Sequence, residues 1–438
     1  MVDSAPLFTF RRLFGALVVF STLRFLFYGW INCQILNPLY TFPFEEFAFL
    51  PRPNFIATIA LFAGMILGGI SIMSGRFFRL GAVVFFLCFT YVELLCKSNY
   101  LNHYYFVSVL SFLLIFTSSH KEDHRLPVLH LNLFRFMIGL VYFYAGVAKL
   151  NTDWLIDAQP LSIWLPQHTS MPIIGWLFQY KATAILFSWA GALFDLTAPF
   201  FLMSRFRNYF YPIVVVFHIL TWLLFPIGIF PWVMIFSATI FFSAEDHRKF
   251  WDALKLSFLK LPEATKSQSP NSLMKCFVTV FILIQILFPF RYLMYSGNSF
   301  WHESGYRFGW RVMLMEKPGW ARFFIKNNEG REVELDLDSW LTPNQIKMVS
   351  SQPDMIVQFA GIVHDEYLKK NGEEVKVRAE VWASLNGRRS QLLIEPFREL
   401  SSIENSWAER DYVLPFDSVI SPLEYSKLEK QLRADSNW

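Results

Sequence analysis

Six ionisable side chains interrupt the apolar stretches of this sequence and could do chemistry there: Glu93, His103, Arg135, Lys149, Asp195 and His218. A charged group near the centre of a bilayer costs roughly 2.5 to 3.5 kcal/mol or more, so each one needs a partner or a function. A lysine that is desolvated in such surroundings loses its proton readily and becomes a base. The run VYFYAGVAKLNTDW, residues 141–154, delivers Lys149 where an apolar segment ends, which makes this amine the first candidate.

Other polar residues indicate what could surround that amine. Asn102 and His103 form an adjacent pair that is suited to holding an oxyanion or a ligand oxygen. Asp195 and His218 are expected nearer the middle of the membrane, where a carboxylate and a neutral imidazole that face one cavity can hydrogen-bond at modest cost.

The residues just before Lys149 are small, and Ala145, Gly146 and Ala148 are expected to leave room for a flat, bulky ligand against the helix. None of the six ionisable residues forms an HxxxH or HxxE pair with another, so no metal site is predicted. The sequence also has no Gly-rich phosphate loop and no nucleophile elbow.

Each of these residues has a purely structural interpretation as well. Lys149 taken alone is typical of a lysine that extends to the membrane surface. His103 could belong to an interfacial aromatic belt, and Arg135 to an anchor beside a loop. Asp195 and His218 could simply hold helices together. The group is stronger evidence for a site than any member of it.

Composition fixes the class of protein. Over 438 residues the hydrophobic fraction is 54% and the charged fraction 17%, and the mean hydropathy is +0.34, which together exclude an ordinary soluble protein. The net charge is only +4 and its basic residues are scattered through short connections, so nucleic acid is not a predicted partner. Four cysteines without a CxxC spacing predict neither a metal site nor a disulfide framework.

Nine apolar runs are candidates for helices that cross a bilayer core of about 30 Å, which needs about 20 residues. They lie at 13–30, 55–73, 77–95, 104–117, 129–148, 182–203, 209–225, 227–243 and 273–290. We therefore predict a polytopic α-helical membrane protein of about nine spans.

Lysine and arginine concentrate in alternate connections, which under a nine-span count all lie on one side: Arg11, Arg12, Arg76, Arg79, Lys121, Arg125, Arg205, Arg207 and the basic residues from Arg248 to Lys275. The positive-inside rule makes that side the cytoplasm. The N-terminus is then inside, the tail after residue 290 is outside, and the first span is expected to be a signal anchor that is not removed.

The tail is polar enough to fold outside the membrane. The stretch 320–337 predicts two strands around an Asn-Glu-Gly turn, and 375–395 predicts a second hairpin around Asn386 and Gly387. Thr342 and Gln345 have the spacing of a capping box at the start of a helix, and a second helix is expected to end at Gly372. These patterns predict a compact α+β or sandwich-like extracytoplasmic domain.

The predicted division of the chain is a transmembrane catalytic domain at 1–290 and the extracytoplasmic domain at 291–438.

The segment LFRFMIGLVYFYAGVAKLNTDWL, residues 133–155, resembles a segment of the vitamin K-dependent γ-glutamyl carboxylases. That segment carries the family's proposed active-site lysine in the context AGVKKLDADW, and Lys149 falls on the second lysine of its pair. Ala148 replaces the first. The lysine that is proposed to act in the family is therefore present here as Lys149.

Other intramembrane polar residues match the family in order. NYLNHYY sets Asn102 and His103 on its Asn-His pair, and LFDLTAPF sets Asp195 on its LDLSAGF segment. VVVFHILTWLLFPIGIFPWVM sets His218 on the histidine of its FHxxNxxLFxIGxFxxVM segment. The stretch 286–314 is similar to the one that ends in Tyr-x-x-Trp-x-Met-Met, here with Phe308, Trp310 and Met313. The similarity is good from 96 to 314 and weaker through the tail.

Two departures separate this chain from the animal enzymes of the family. Met315 and Lys317 stand where the animal enzymes have a histidine and an arginine. The chain also has no counterpart of their long further lumenal region, which is associated with recognising propeptide-bearing clients. The resemblance is therefore to a bacterial-type member, of the group also called horizontally transferred transmembrane domain proteins, and it implies a bacterial inner membrane.

The resemblance implies an activity. Vitamin K hydroquinone would enter from the bilayer and, with O2, become the epoxide while CO2 adds to a glutamate side chain of a peptide or protein. It implies Lys149 as the base with His103 as a second catalytic residue. Binding of the hydroquinone is then expected at a set of five residues: Asn102, Asp195, His218, Trp310 and Met313.

Two other functions stay open from the sequence. One is a quinol-dependent epoxidase or oxygenase of the same fold that does not carboxylate glutamate. The other is a transporter or membrane scaffold without enzymatic activity.

Overall fold

The computed structural model describes residues 2–117, 125–254 and 272–417. Its first part is helical, as the apolar runs predict. In chain order its helices are α1 Ala5–Phe27, α2 Phe55–Ser74, α3 Phe78–Leu94, α4 Asn102–Ile115, α5 Val128–Ala148, α6 Thr152–Leu155, α7 Leu161–Trp164, α8 Lys181–Met203, α9 Arg207–Leu224, α10 Phe230–Ala238, α11 Ala244–Ala253 and α12 Ser272–Leu287. The predicted basic connections around Lys121 and at 255–271, and the tail after 417, lie outside the described residues.

Among the described residues, five segments are long and apolar enough to cross a membrane: α2, α5, α8, α9, and α12 with its extension to Met294. The other four predicted runs are helical too. However, α4 and the segment Phe230–Phe241 are short, and α1 carries Arg11, Arg12 and Arg24. The chain is therefore a helical membrane protein, and the count of nine spans stays a prediction.

The N-terminus joins two later segments at one end of the helical bundle. The short strand β1 (Val2–Asp3) pairs antiparallel with β2 (Arg125–Leu126), just before α5. Asp3 also forms an ion pair with Arg248 of α11, and Trp251 Nε1 donates to Thr9 Oγ1 at 2.8 Å. Several of the basic connections thus meet at this end.

The C-terminal region begins with the single-turn helix α13 (Ser299–His302) and contains a four-stranded antiparallel sheet of order β4-β3-β5-β6. Its strands are β3 Gly319–Lys326, β4 Glu332–Glu334, β5 Lys376–Ala383 and β6 Gln391–Leu392. Both predicted hairpins are confirmed. The helices α14 (Pro343–Val349) and α15 (Pro353–Asn371) lie between them in sequence.

The local signals of this region are confirmed as well. Thr342 and Gln345 form the reciprocal capping box of α14. Gly372 ends α15 in the left-handed conformation, at φ +68°, which glycine adopts without strain. Phe359 of α15 packs edge-on against Phe323 of β3, with ring centroids 4.9 Å apart. In the described residues one sheet faces helices, so the region is α+β and the sandwich alternative is wrong.

The C-terminal region docks on connections at the other end of the bundle. Lys97, between α3 and α4, donates to Glu45 at 2.5 Å and to the buried Asp354 of α15 at 3.3 Å. Asn386 at the tip of the β5–β6 hairpin donates to Asp153, after α5, at 2.7 Å. Gln345 of α14 donates to the carbonyl oxygen of Tyr40, after α1, at 2.8 Å, so the connections after α1, α3 and α5 all meet this region.

Candidate active site

A cavity of about 400 Å³ lies between α5, α8 and α9, at the end of the bundle that faces the C-terminal region. Its lining is overwhelmingly apolar, with few ionisable or hydroxyl side chains. Its ionisable and phenolic side chains are those of Tyr142, Lys149, Asp195 and His218. A mostly apolar cavity with few convergent polar groups is typical of a site for a small organic ligand.

Lys149 and Asp195 form an ion pair in the wall of this cavity. Lys149 follows the last turn of α5, and its Nζ donates to Asp195 Oδ2 of α8 at 2.7 Å and to the carbonyl oxygen of Ala145 at 3.1 Å. Both side chains are only 8% exposed. The lysine therefore does not extend to the membrane surface, which overturns the structural interpretation of the residue taken alone.

Close contact between α5 and α8 sets up this pair. A Cβ on Gly146 would lie 2.7 Å from the backbone nitrogen of Leu196, the residue after Asp195, so only glycine permits this approach. The prediction that Gly146 leaves room for a ligand is therefore wrong. Ala145 does line the cavity, whereas Gly146 allows the two helices to bring amine and carboxylate together.

The NTDW sequence after Lys149 positions an indole beside the amine. The side chain of Asn151 caps the short helix α6 by accepting from Trp154 N at 3.0 Å. Trp154 Nε1 donates to the carbonyl oxygen of Ser188 at 2.8 Å, which fixes the ring against α8. The Lys149 amine lies 5.1 Å from the ring centroid, within the range of a cation–π interaction.

A second polar pair faces the cavity from α5 and α9. The hydroxyl of Tyr142 and Nε2 of His218 are 2.7 Å apart, and both residues are buried. Tyr142 lies two helical turns before Lys149, so both side chains project from one face of α5. Asp195 and His218 share the cavity as expected, but each hydrogen-bonds to a residue of α5 rather than to the other.

The segment before β3 closes the cavity with Val312 and Met313. Its backbone is strained, because Phe308, Trp310 and Met313 have positive φ angles of 58°, 56° and 54°. Each such residue costs on the order of 1–3 kcal/mol unless its surroundings hold it in place.

Residues at the start of α4 hold that segment. Asn102 Nδ2 donates to the carbonyl oxygen of Arg311 at 2.8 Å, and the Tyr100 hydroxyl accepts from Phe308 N at 2.6 Å. Trp310 is fully buried and stacks on Tyr105, with ring centroids 4.8 Å apart. Asn102 and Trp310 thus lie behind the segment that carries Met313 and do not line the cavity.

His103 is buried next to the cavity but does not line it either. Its ring lies 5.5 Å from that of Phe230, and Phe230 in turn lies 6.2 Å from the ring of His218. One phenylalanine therefore separates the two histidines. His103 Nε2 has no hydrogen-bond partner among the described residues.

Glu93 and Arg135 lie elsewhere. Glu93 accepts from the Ser108 hydroxyl at 2.7 Å and faces a separate small space. Arg135 Nε donates to the carbonyl oxygen of Ile240 at 3.1 Å, near the opposite end of α5. The common outer depth expected for Glu93, His103 and Lys149 therefore does not bring these three into one cavity.

Two residues of the site were absent from the predicted set. Tyr142 could have been found from its spacing of seven residues before Lys149, which puts both on one helix face. Trp154 belongs to the NTDW stretch. Asn151, three residues earlier, is a typical N-cap residue, and an N-cap side chain commonly accepts from the backbone nitrogen of the third residue after it, here Trp154.

Two family models match the chain. The model of the HTTM domain matches residues 1–245, and the model of the lumenal domain of vitamin K-dependent gamma-carboxylase matches residues 270–419. No solved structure matches. The order of the two matches agrees with the helical part and the α+β region, and the chain belongs to the vitamin K-dependent gamma-carboxylase family.

Proposed function

We propose that the chain is an integral membrane enzyme that couples oxidation of vitamin K hydroquinone to its epoxide with the addition of CO2 to glutamate side chains. The observation that carries this proposal is the buried amine of Lys149, paired with Asp195 and facing an apolar cavity of about 400 Å³. A base in a water-poor cavity is what this reaction requires, because water would quench the strong base that attacks the glutamate.

The residues of the cavity fit a reduced naphthoquinone. A flat apolar ring system suits walls such as Phe187, Phe217 and Leu220, while its two hydroxyl groups suit the few polar residues. When bound, the hydroquinone supplies with O2 the base that removes a γ-proton from glutamate, and it leaves as its epoxide.

Lys149 is the proposed base and Asp195 its proton acceptor. Shifting the shared proton along the 2.7 Å hydrogen bond from Nζ to Asp195 Oδ2 leaves a neutral amine. Lys149 Nζ is then able to take a hydroxyl proton from the bound hydroquinone.

Tyr142 and His218 are proposed to orient a ligand oxygen from the opposite wall. Because the hydroxyl and the imidazole are 2.7 Å apart, either can pass a proton to the other while contacting the ligand. Met313 would cover the ring from the side of the C-terminal region, where a glutamate side chain would approach.

The remaining predicted residues lie outside the lining of the cavity and act indirectly in this proposal. Asn102 and Trp310 would hold the segment that carries Met313, so they are positioning residues rather than ligands. His103 is proposed to support His218 through their common neighbour Phe230, with its free Nε2 available to a ligand that shifts Phe230.

We also infer the topology that this chemistry needs. The proposed domains are 1–290, in a bacterial inner membrane with a cytoplasmic N-terminus, and 291–438 outside. The docking of the C-terminal region on the connections after α1, α3 and α5 supports alternate connections on opposite sides. A reporter fused after Trp438 should be active only outside the cytoplasm; a cytoplasmic reporter would refute this topology.

The activity is tested by incubating the purified chain with reduced vitamin K, labelled bicarbonate and a short glutamate peptide. We expect epoxide and labelled peptide in equal amounts. Epoxide without label would replace this proposal with an epoxidase that does not carboxylate. Neither product, under conditions in which a known carboxylase is active, would favour a transporter or scaffold.

A further inference from the structure

A second cavity, of about 530 Å³, lies between α5 and α8 at the opposite end of the bundle from Lys149. One part of its lining is apolar and includes Gly139, Phe143 and Phe200. The other part is basic and contains Arg135 of α5 and Arg207, the first residue of α9. The proposed function uses none of these residues.

The two arginines keep most of their hydrogen-bonding capacity. Arg135 donates through Nε to the carbonyl oxygen of Ile240, and Arg207 donates through Nη1 to that of Phe241. Each guanidinium has five N–H donors, so several remain for a ligand. Within residues 2–117, 125–254 and 272–417, neither one forms an ion pair with a carboxylate.

The arginines also act on each other. The positive charge of Arg207 is close enough to Arg135 to interact unfavourably with it, and Arg135 is half-buried beside apolar helices. A negative charge bound between them would relieve this unfavourable interaction. The basic part of the cavity is therefore complementary to an anion.

The apolar part indicates what carries that anion. From Arg135 to Phe143 the helix α5 rises about 12 Å, at about 1.5 Å per residue, so the groove continues from the charged end toward the middle of the bundle. Phe200 is 63% exposed and Met203 66% exposed on the outer face of α8, which opens the groove to the surrounding lipid.

We propose that this cavity binds an anionic glycerophospholipid. Its phosphate contacts Arg135 and Arg207, which suit phosphate oxygens because guanidinium groups bind them in a planar, two-pronged geometry. One acyl chain lies along Phe143 and Phe200. The site is separate from the Lys149 cavity, and the proposal does not depend on the proposed function.

Native mass spectrometry of the full chain in detergent tests the proposal. We expect phosphatidylglycerol to be retained in preference to phosphatidylcholine with the same acyl chains. Each of Arg135→Gln and Arg207→Gln should weaken phosphatidylglycerol binding by about fivefold, the share expected of one basic residue near an anionic headgroup. Arg205→Gln is the matched control, because this neighbouring arginine is exposed and lies outside the cavity.

The double variant R135K/R207K keeps both charges and should retain most of the binding. Three results would overturn the proposal: equal retention of the two lipids, unchanged phosphatidylglycerol binding in R135Q/R207Q, or displacement of the lipid by inorganic phosphate alone. If the double glutamine variant does not fold, the two single variants carry the same test.

Discussion

The amine of Lys149 and the carboxylate of Asp195 meet at 2.7 Å across the contact between α5 and α8, and both are almost fully buried. Such a pair binds the two helices together, in addition to the role as a base proposed for Lys149. Removing one partner leaves an uncompensated buried charge and typically costs 3–5 kcal/mol, whereas replacing both by apolar residues is often neutral. Loss of activity in a single variant therefore does not by itself identify the base.

The first prediction separates the two roles of Lys149. Lys149→Met should lower the free energy of unfolding by about 3–5 kcal/mol and abolish epoxide formation. The double variant Lys149→Met with Asp195→Leu should regain most of the stability and stay inactive, because the pair is gone but the base is still missing. Unfolding in detergent and the epoxide assay measure the two effects.

The control for this prediction is Lys181→Met, which removes an exposed lysine at the start of α8. This variant should change neither the free energy of unfolding nor the rate of epoxide formation. In Lys149→Ala, a small added amine should partly restore epoxide formation by occupying the space of the side chain. Near-normal activity of Lys149→Ala without added amine would show that another group is the base.

The second prediction concerns the hydroxyl of Tyr142. Tyr142→Phe leaves His218 Nε2 buried without its partner, which should cost about 1–3 kcal/mol of stability. If the pair orients the ligand, kcat/KM for epoxide formation should also fall on the order of tenfold, the equivalent of one hydrogen bond.

Tyr144→Phe is its matched control. The Tyr144 hydroxyl donates to the carbonyl oxygen of Ile286 at 2.6 Å, on another face of α5 and outside the cavity lining. We expect this variant to keep its activity. Equal losses in the two variants would mean that Tyr142 has a structural role only.

The local parts of this fold were predictable from the sequence because their causes are local. Apolar runs predicted the helices, and the turn at Asn386 and Gly387 predicted a hairpin. Thr342 with Gln345 predicted the start of a helix. The sandwich alternative failed because strand patterns do not reveal what covers a sheet, and here α15 does.

The site was predictable only in part. Lys149, Asp195, His218 and Met313 do line one cavity, as the family resemblance implied. Their pairing was not predictable, since Lys149 and Asp195 are 46 positions apart and meet only because two helices approach closely at Gly146. A small residue beside a candidate base serves helix packing as readily as ligand binding, and sequence alone does not distinguish the two.

The third prediction follows from that close approach. Gly146→Ala adds a Cβ at 2.7 Å from the backbone nitrogen of Leu196, so α5 and α8 must separate. Overpacking of this kind costs about 1–3 kcal/mol, and the wider gap should weaken the ion pair and reduce epoxide formation at least tenfold.

Gly139→Ala, two helical turns earlier on the same face of α5, meets only the Cβ of Pro199 at 3.4 Å and should be tolerated. Activity assays and unfolding in detergent compare the two variants. A fully active Gly146→Ala would contradict the claim that this contact sets the geometry of the base.

The fourth prediction concerns the ionic contact that docks the C-terminal region. Asp354 is buried; burial would raise its pKa, but the charges of Arg307, Lys97 and Arg410 outweigh this effect and hold the pKa well below its usual range. A carboxyl group whose pKa is lower in the folded state stabilises the protein above its unfolded pKa of about 3.9, and that contribution is lost as the pH falls below this value.

Asp354→Asn should therefore destabilise the protein by about 3–5 kcal/mol near pH 7, because the buried negative charge that compensates Arg307, Lys97 and Arg410 is lost. The difference between wild type and variant should shrink below about pH 4, where Asp354 of the unfolded wild-type chain takes up a proton while the folded carboxylate is still charged. Asp365→Asn, an exposed position on the same helix, is the control. Thermal unfolding in detergent between pH 3 and 8 measures both variants, and a difference that does not change with pH would mean that the charge of Asp354 is not what holds the two regions together.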